Sequence, residues 1–313
     1  MTKVVIDQPG IFEATEDQYH ADPLPEASLS STLMKELLAR TPLHAWTKSP
    51  RLNPYFEPTH KPQFDIGHAV HTVYTGTGAS IHVIDAPAFT TKAAREERDL
   101  CYERGLTPLL AGQWARVKDM LEAGRQQLRA NECGDVFDGG ECEVNFAAQI
   151  GGVWNRCRID CLDRENRVLY DLKTTGESAD PDAFMRSICN FGYDIQAAHY
   201  TECVEAVLGR GWTFRFVVQE KAPPHGLTVI ELSPVWLDLA RRKTARARQM
   251  WAHCLNAGQW PGYPAKICIL EAPNWHEAKW MDREIREDDY QRKTGLDVLE
   301  AGMKWQAPLP AAE

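Results

Sequence analysis

Asp160, Asp171 and Lys173 are the residues whose types and spacing most directly suggest chemistry. Because strand side chains alternate between two faces, Asp171 and Lys173 share one face of a predicted strand whose other face is apolar. The polar run 163–167 predicts a hairpin that joins it to a strand over 153–162, which carries Asp160. The two carboxylates can therefore converge on a divalent cation, beside a lysine that can hold or deprotonate water or stabilise a phosphoryl transition state.

An Asp-x-Lys pattern alone is more often a solvated sheet face than a catalytic site, so other segments must supply partners. Gly67 and His71 lie one turn apart on a predicted helix, where the glycine allows close approach of a neighbouring backbone. A single helical histidine is more often an ordinary polar residue. Glu141 and Glu143 open a predicted strand with equal parity, and the strand pattern does not separate them.

Two further features lie downstream. Gln196 and Tyr200 are spaced i to i+4 on one face of a predicted helix. Positive charge is then concentrated on the next long predicted helix, at Arg241, Arg242, Lys243, Arg246 and Arg248. This cluster fits a local phosphate-binding channel and a solvated helix face about equally well.

The composition is that of an ordinary soluble globular protein. With 313 residues and 43% hydrophobic content, the chain can form one large domain or two small ones. Its net charge of −9 excludes a generic basic DNA coat. It lacks an apolar run of the roughly 18 residues that span a bilayer, and residues 1–10 lack the order of a secretory signal, so a cytoplasmic location is expected. Nine cysteines without a C-x-x-C pair argue against a disulfide framework or structural zinc.

The order of predicted elements indicates the architecture. We expect an extended arm over 1–27, a folded domain over 28–272 and a peripheral segment over 273–313. The domain begins with helices, continues with a three-strand meander from residue 141, and ends with a helix, two strands and a long helix. This order predicts an α/β fold with a mixed central β-sheet flanked by helices.

Taken in sequence order, these motifs resemble the PD-(D/E)XK nuclease superfamily, within it the group of the RecB nuclease domain, lambda exonuclease and RecE. The resemblance is closest to the RecE-like (exonuclease VIII-type) phage recombination exonucleases and covers roughly 28–265. It implies a restriction-endonuclease-like core. The matching positions are Ser30, Leu33, Trp46, Gly67, His71, the helical pair 92–127, Arg158, Asp160, Asp171-Leu172-Lys173-Thr174-Thr175, Gln196 and Tyr200.

The resemblance implies a metal centre. His71, Asp160 and Asp171 correspond to the metal ligands, with the main-chain carbonyl of Leu172 as an additional one. Lys173 corresponds to the residue that orients or activates the attacking water. Asp171 stands where many relatives have Glu, but Asp also occurs there in the RecB and RecE branch. An oxygen-rich ligand set with one imidazole favours Mg²⁺, with Mn²⁺ as a substitute, over zinc.

It also implies roles outside the metal ligands. Glu143, with Glu141 in reserve, corresponds to an acidic residue on the first strand. Gln196 and Tyr200 correspond to the motif that braces the site or the DNA end. The expected DNA contacts are Arg158, Thr174, Arg241, Arg242 and Lys243. The scattered cysteines do not offer the iron-sulfur cluster of some relatives.

The implied function is a Mg²⁺-dependent DNA exonuclease that digests linear duplex from 5′ to 3′ and leaves 3′ single-stranded tails for recombination by strand annealing. Its implied partners are duplex DNA ends, a single-strand annealing protein of RecT type and other copies of the chain, as in the toroidal oligomers of related enzymes. The implied location is the cytoplasm of a bacterial or phage-infected cell. The alternatives are a nuclease of other polarity or endonucleolytic action, and a catalytically silent DNA-binding or protein-interaction module with the same fold.

Overall fold

The computed structural model describes residues 6–57 and 65–302. The chain divides into two compact units, Met1–Tyr263 and Pro264–Glu313. In the part of the chain described, all strands lie in the first unit. No helix within those ranges has both the length and the apolar character needed to cross a membrane.

The first unit contains two sheets and nine of the described helices. The strands are β1 (Gly10–Phe12), β2 (Ile81–Ile84), β3 (Thr107–Leu110), β4 (Glu141–Ile150), β5 (Val153–Asp163), β6 (Val168–Thr175), β7 (Thr213–Glu220) and β8 (Leu227–Glu231). The helices are α1 (Glu16–His20), α2 (Ser31–Ala39), α3 (Pro42–Thr47), α4 (Asp65–Thr75), α5 (Lys92–Glu103), α6 (Ala111–Ala130), α7 (Pro181–Phe191), α8 (Tyr193–Leu208) and α9 (Pro234–Ala257). The second unit contains α10 (Asn274–Thr294) and α11 (Val298–Ala301).

The main sheet has six strands in the order β1-β4-β5-β6-β7-β8. Its neighbouring strands are antiparallel except β6 and β7, which are parallel and are connected through α7 and α8. Helices cover both faces: one core packs the sheet against α7 and α8, and a second packs it against α4 and α6. This confirms the predicted α/β fold with a mixed central sheet flanked by helices. The short strands β2 and β3 form a separate parallel pair that the sequence did not indicate.

The segment before residue 28 is part of the first unit rather than a separate arm. β1 pairs with β4 and forms one edge of the main sheet. The carboxylate of Asp22 accepts hydrogen bonds from the N–H and hydroxyl of Ser28, and lies 3.2 Å from Nη1 of the buried Arg156. Strand pairing and a buried ion pair hold this segment in place, and neither produces an apolar periodicity that the sequence could show.

Two other boundaries differ from the expected ones. The first unit ends at Tyr263, where we expected the domain to continue to residue 272. The helical region 180–208 is two helices, because Gly192 adopts a left-handed conformation with φ of 62°. The peripheral segment expected after residue 272 contains the long helix α10, whose polar sequence lacks a clear apolar stripe.

Candidate active site

The site forms where β5 and β6 separate. The two strands pair only between Cys161–Asp163 and Val168–Tyr170, while β6 continues alongside β7 to Thr175. In the gap that opens, Oδ2 of Asp160 accepts a hydrogen bond of 2.7 Å from the N–H of Leu172. Because the N–H and C=O of one strand residue point the same way, the carbonyl of Leu172 faces the gap as well.

Glu143 and Asp160 lie opposite each other on β4 and β5, between the partners Cys142–Cys161 and Val144–Ile159. Both strands change faces here: Val144 and Ile159 pack with the core under α8, whereas Cys142 and Cys161 pack with the core under α4. On β4 the cause is Glu143, whose φ of 58° is outside the extended region. The change directs both carboxylates toward α4.

His71 on α4 lies between these two carboxylates. Its Nε2 is 3.1 Å from Oδ2 of Asp160, and its Nδ1 is 3.2 Å from Oε1 of Glu143. α4 can approach the sheet because Gly67 has no side chain: a Cβ there would lie 3.2 Å from the hydroxyl oxygen of Thr174. One ligand atom from each of His71, Glu143 and Asp160 falls within 4.8 Å of the others.

Asp171 and Lys173 extend the site along β6. Oδ2 of the buried Asp171 lies 2.5 Å from Nζ of Lys173, and its Oδ1 accepts a hydrogen bond of 2.6 Å from Nε2 of Gln196 on α8. Asp171 is therefore adjacent to the His71-Glu143-Asp160 group but is not one of its three members. Lys173 already balances the charge of the Asp171 carboxylate, and the hydrogen bond from Gln196 fixes its orientation.

Burial and charge shift the acid–base properties of these groups in different directions. Burial lowers the pKa of His71, but the carboxylates of Asp160 and Glu143 outweigh it and raise this pKa to about 9. Burial raises the pKa of Asp171 to about 6, although Lys173 opposes the rise. Burial also raises the pKa of Glu143. The pKa of Asp160 is lowered, because His71 and Lys173 outweigh the effect of burial.

The described donor set fits a hard divalent cation. The two carboxylates and the imidazole could together hold a divalent cation. Oε1 of Glu143 and Oδ2 of Asp171 are buried, and each lies against a cationic nitrogen, of His71 and Lys173 respectively. The charged imidazole thus compensates the carboxylates, and a bound cation would replace its proton.

A cavity of about 400 Å³ adjoins the three-residue group. Tyr200 lines it together with His71, Glu143 and Asp160. Residues Tyr19 and His20 of α1 line the opposite part, so the N-terminal segment contributes to the wall of the site. The cavity gives the carboxylates access to a ligand larger than water.

The structure distinguishes Glu141 from Glu143, the two candidates for the acidic residue on β4. Glu141 forms an exposed ion pair with Arg164, whereas Glu143 is nearly buried beside His71. Glu143 also pairs with the guanidinium of Arg158. Arg158, expected as a DNA contact, therefore lines the cavity with its charge balanced by a carboxylate of the site.

The other expected DNA contacts do not form a free basic surface among the described residues. On α9, Lys243 Nζ lies 2.6 Å from Asp194, Arg241 is 3.8 Å from Glu205, and Arg242 is 3.5 Å from Asp238. The partners of Lys243 and Arg241 are on α8, which packs against α9, whereas Asp238 precedes Arg242 by one turn on α9 itself. Thr174, also expected to contact DNA, faces Gly67 of α4.

Two residues at the site were missed by the sequence analysis. Tyr193 lies three positions before Gln196 on α8, and its ring centroid is 5.0 Å from Nζ of Lys173. Lys35 on α2 places its Nζ 5.7 Å from the same ring. The i to i+3 spacing from Gln196 could have indicated Tyr193. No local pattern marks Lys35, which reaches the site through the packing of α2 against α8.

Comparisons with known proteins agree with this geometry. A family model described as "PDDEXK-like domain of unknown function (DUF3799)" matches residues 30–273. No curated protein matches the chain in sequence. A crystal structure described as "Putative exonuclease" from Eubacterium rectale shares 14% identity over 84% of this chain and 96% of that chain, with a TM-score of 0.57. At this identity, the match shows a shared fold. A crystal structure of SSO0001 shares 13% identity over 65% of this chain and 97% of that chain, and its TM-score of 0.25 is too low to indicate a shared fold.

Proposed function

The chain belongs to the DUF3799 family of PDDEXK-like domains, and from that premise we propose that it is a divalent-metal-dependent deoxyribonuclease. The observation that carries the proposal is the convergence of His71, Glu143 and Asp160 beside the Asp171–Lys173 pair. These residues come from three strands and a helix, and a solvated sheet face would not require an imidazole between two nearly buried carboxylates.

His71, Glu143 and Asp160 would hold the cation, with the carbonyl of Leu172 facing the same gap. A bound Mg²⁺ or Mn²⁺ would supply Lewis-acid activation of water and neutralise charge on the scissile phosphate. Asp160 is fixed for this role by the N–H of Leu172. Gln196 fixes the carboxylate of Asp171, which in turn holds Lys173.

Lys173 acts as a charged donor. Its pKa is above the usual value, because Asp171 and Asp160 outweigh the effect of burial. A protonated amine cannot accept a proton from water, but it can orient the attacking water and stabilise negative charge that develops on the phosphate. This favours the orienting role over the role of general base.

The finer activity we propose is exonucleolytic: digestion of linear duplex DNA from 5′ to 3′, leaving 3′ single-stranded tails for a RecT-type annealing protein. The resemblance to RecE-like exonucleases supports this activity, as does the shared fold with the Eubacterium rectale protein described as an exonuclease. A homo-oligomer, such as a toroid around DNA, and a location in a bacterial or phage-infected cytoplasm belong to the same proposal.

The test is degradation of linear duplex labelled at its 5′ or 3′ end, compared with a covalently closed circle, in Mg²⁺ and Mn²⁺. We expect the linear duplex to be shortened from its 5′ ends and the circle to survive. Loss of the circle would replace the exonuclease with an endonuclease. Intact DNA in every reaction, with purified folded protein, would favour the silent module and contradict the enzyme.

A further inference from the structure

A small surface at the junction of α7 and α8 lies next to the catalytic lysine. Phe191 is the last residue of α7 and Tyr193 is the first of α8, with the left-handed Gly192 between them. The stem of Lys35 lies across this junction, since a Cβ at Gly192 would be 3.0 Å from its Cδ. We call Lys35, Phe191 and Tyr193 the Tyr193 patch.

The ring of Tyr193 joins the patch to the site. Nζ of Lys35 lies 5.7 Å from the ring centroid, the ring of Phe191 is 5.6 Å away, and Nζ of Lys173 is 5.0 Å away. The ring of Tyr193 also packs against the buried rings of Phe184 and Phe216. Through this ring the Tyr193 patch borders Lys173.

Lys35 has a cationic group without an anionic partner. No ion pair or hydrogen bond joins its Nζ to the described residues, although the more distant carboxylates of Asp171, Asp194 and Glu36 favour its charged form, and its side chain is only partly exposed. Burial, together with the charge of Lys173, lowers the pKa of Lys35 to about 8. Keeping an unpaired ammonium in such surroundings costs free energy, and the cost is recovered when the group meets an anion.

Phe191 provides the complementary apolar element. Its side chain is 59% exposed although it ends a helix whose other large apolar residues include the buried Phe184 and Ile188. Surfaces that bind single-stranded nucleic acid combine an aromatic ring on which a base stacks with a cation that contacts the backbone phosphate. Phe191 supplies the aromatic ring, and Lys35 of α2, whose stem lies beside Gly192, supplies the cation.

We propose that the Tyr193 patch binds the single-stranded segment adjacent to the scissile phosphate, with a base stacked on Phe191 and a backbone phosphate bound by Lys35. Tyr193 positions the lysine and lets both groups border Lys173. The inference rests on the proposed nuclease function and adds a specific strand-holding surface to it. It would also supply a cation for strand binding where Arg241, Arg242 and Lys243 of α9 are paired with carboxylates.

The test measures binding of a short fluorescein-labelled oligothymidylate by fluorescence anisotropy, with EDTA present so that no DNA is cut. Phe191→Ala should weaken binding about tenfold through the loss of one stacked base, without changing the salt dependence. Lys35→Ala should reduce the slope of log K against log salt by about 0.7, the value for one phosphate contact on a single strand. Phe191→Trp and Lys35→Arg should retain most of the binding.

Lys118→Ala and Leu100→Ala are matched controls, because both side chains are exposed on helices other than α2, α7 and α8, and both should bind like the wild type. Thermal unfolding verifies that each variant is folded. Wild-type affinity and salt slope in both Phe191→Ala and Lys35→Ala would overturn the proposal. Because the measurement needs no cleavage, this failure is distinguishable from loss of nuclease activity in the end-labelled assay.

Discussion

Glu143 and Asp160 face each other across β4 and β5 at the position where both strands change the face that they bury. In a regular pair of strands these two carboxylates would share one face of the sheet, and the residues before and after each of them would share the other face. The left-handed backbone of Glu143 instead directs the pair toward His71 on α4. Non-glycine residues in this conformation are uncommon and concentrate at functional sites, which agrees with a metal-binding role.

The first prediction compares the two glutamates of β4. Glu143→Gln should weaken Mn²⁺ binding at least about tenfold, because a neutral amide replaces one of the proposed carboxylate ligands and removes its charge. Glu141→Gln changes an exposed residue on the same strand and should bind Mn²⁺ like the wild type. Isothermal titration of both variants makes the comparison. Equal, undiminished affinity in the two variants would exclude Glu143 from the metal site.

The second prediction concerns Gln196. Gln196→Leu removes the hydrogen bond that orients Asp171, and we expect cleavage to slow by about 10- to 100-fold while the protein remains folded. Single-turnover rates at saturating Mn²⁺ provide the measurement. Gln126→Leu alters an exposed glutamine on α6 and is the control. A rate equal to the wild type in Gln196→Leu would show that Asp171 keeps its orientation without the amide.

The third prediction concerns the loss of folding stability that results from partial burial of the charged Lys35 ammonium. Replacement by Met removes an ammonium whose pKa is lowered from 10.5 to about 8. One pKa unit corresponds to about 1.4 kcal/mol, and solvent screening reduces the effect at a partly exposed group. We therefore expect Lys35→Met to be more stable by about 1–2 kcal/mol at pH 7.

The pH dependence of this gain follows from linkage. Between pH 8 and 10.5 the unfolded chain holds the proton more tightly than the folded protein, so the wild type gains stability relative to Lys35→Met as the pH rises. Urea unfolding at pH 7 and pH 10 measures the difference. A variant that is less stable than the wild type at pH 7 would contradict the account of an uncompensated charge.

The fourth prediction addresses the N-terminal segment. Asp22→Asn keeps a residue that tolerates the positive φ of this position but leaves the buried guanidinium of Arg156 without its carboxylate. Loss of one partner from a buried pair costs roughly 3–5 kcal/mol. Chemical unfolding should show a loss of about 3 kcal/mol, whereas the exposed Asp17→Asn should have little effect. A loss below about 1 kcal/mol would mean that the segment does not depend on this pair.

The sequence predicted the parts of the fold that depend on local patterns. The alternating residues of β6 and the Gly151-Gly152 turn were sufficient for the meander, since periodicity and turn chemistry are local signals. β1 could not be predicted, because three residues gain strand structure only by pairing with β4, more than a hundred residues away. The parallel pair of β2 and β3 is equally short and likewise depends on distant pairing.

The candidate site was predictable to a similar extent. The spacing of Asp160, Asp171 and Lys173 indicated a common location, and the structure brings them together. The choice of Glu143 over Glu141 depends on one backbone angle, which strand parity does not contain. The basic cluster of α9 has carboxylate partners supplied largely by α8, and such pairings between helices leave no trace in a linear charge pattern.

The most direct test of the metal-dependent nuclease is the rate at which the wild type and Lys173→Met release label from linear duplex DNA with Mg²⁺ or Mn²⁺, beside Lys118→Ala. We predict metal-dependent cleavage that EDTA abolishes, a loss of about 10²-fold or more in Lys173→Met, and wild-type cleavage in Lys118→Ala. Cleavage by Lys173→Met at the wild-type rate, or cleavage that persists in EDTA, would contradict the central claim.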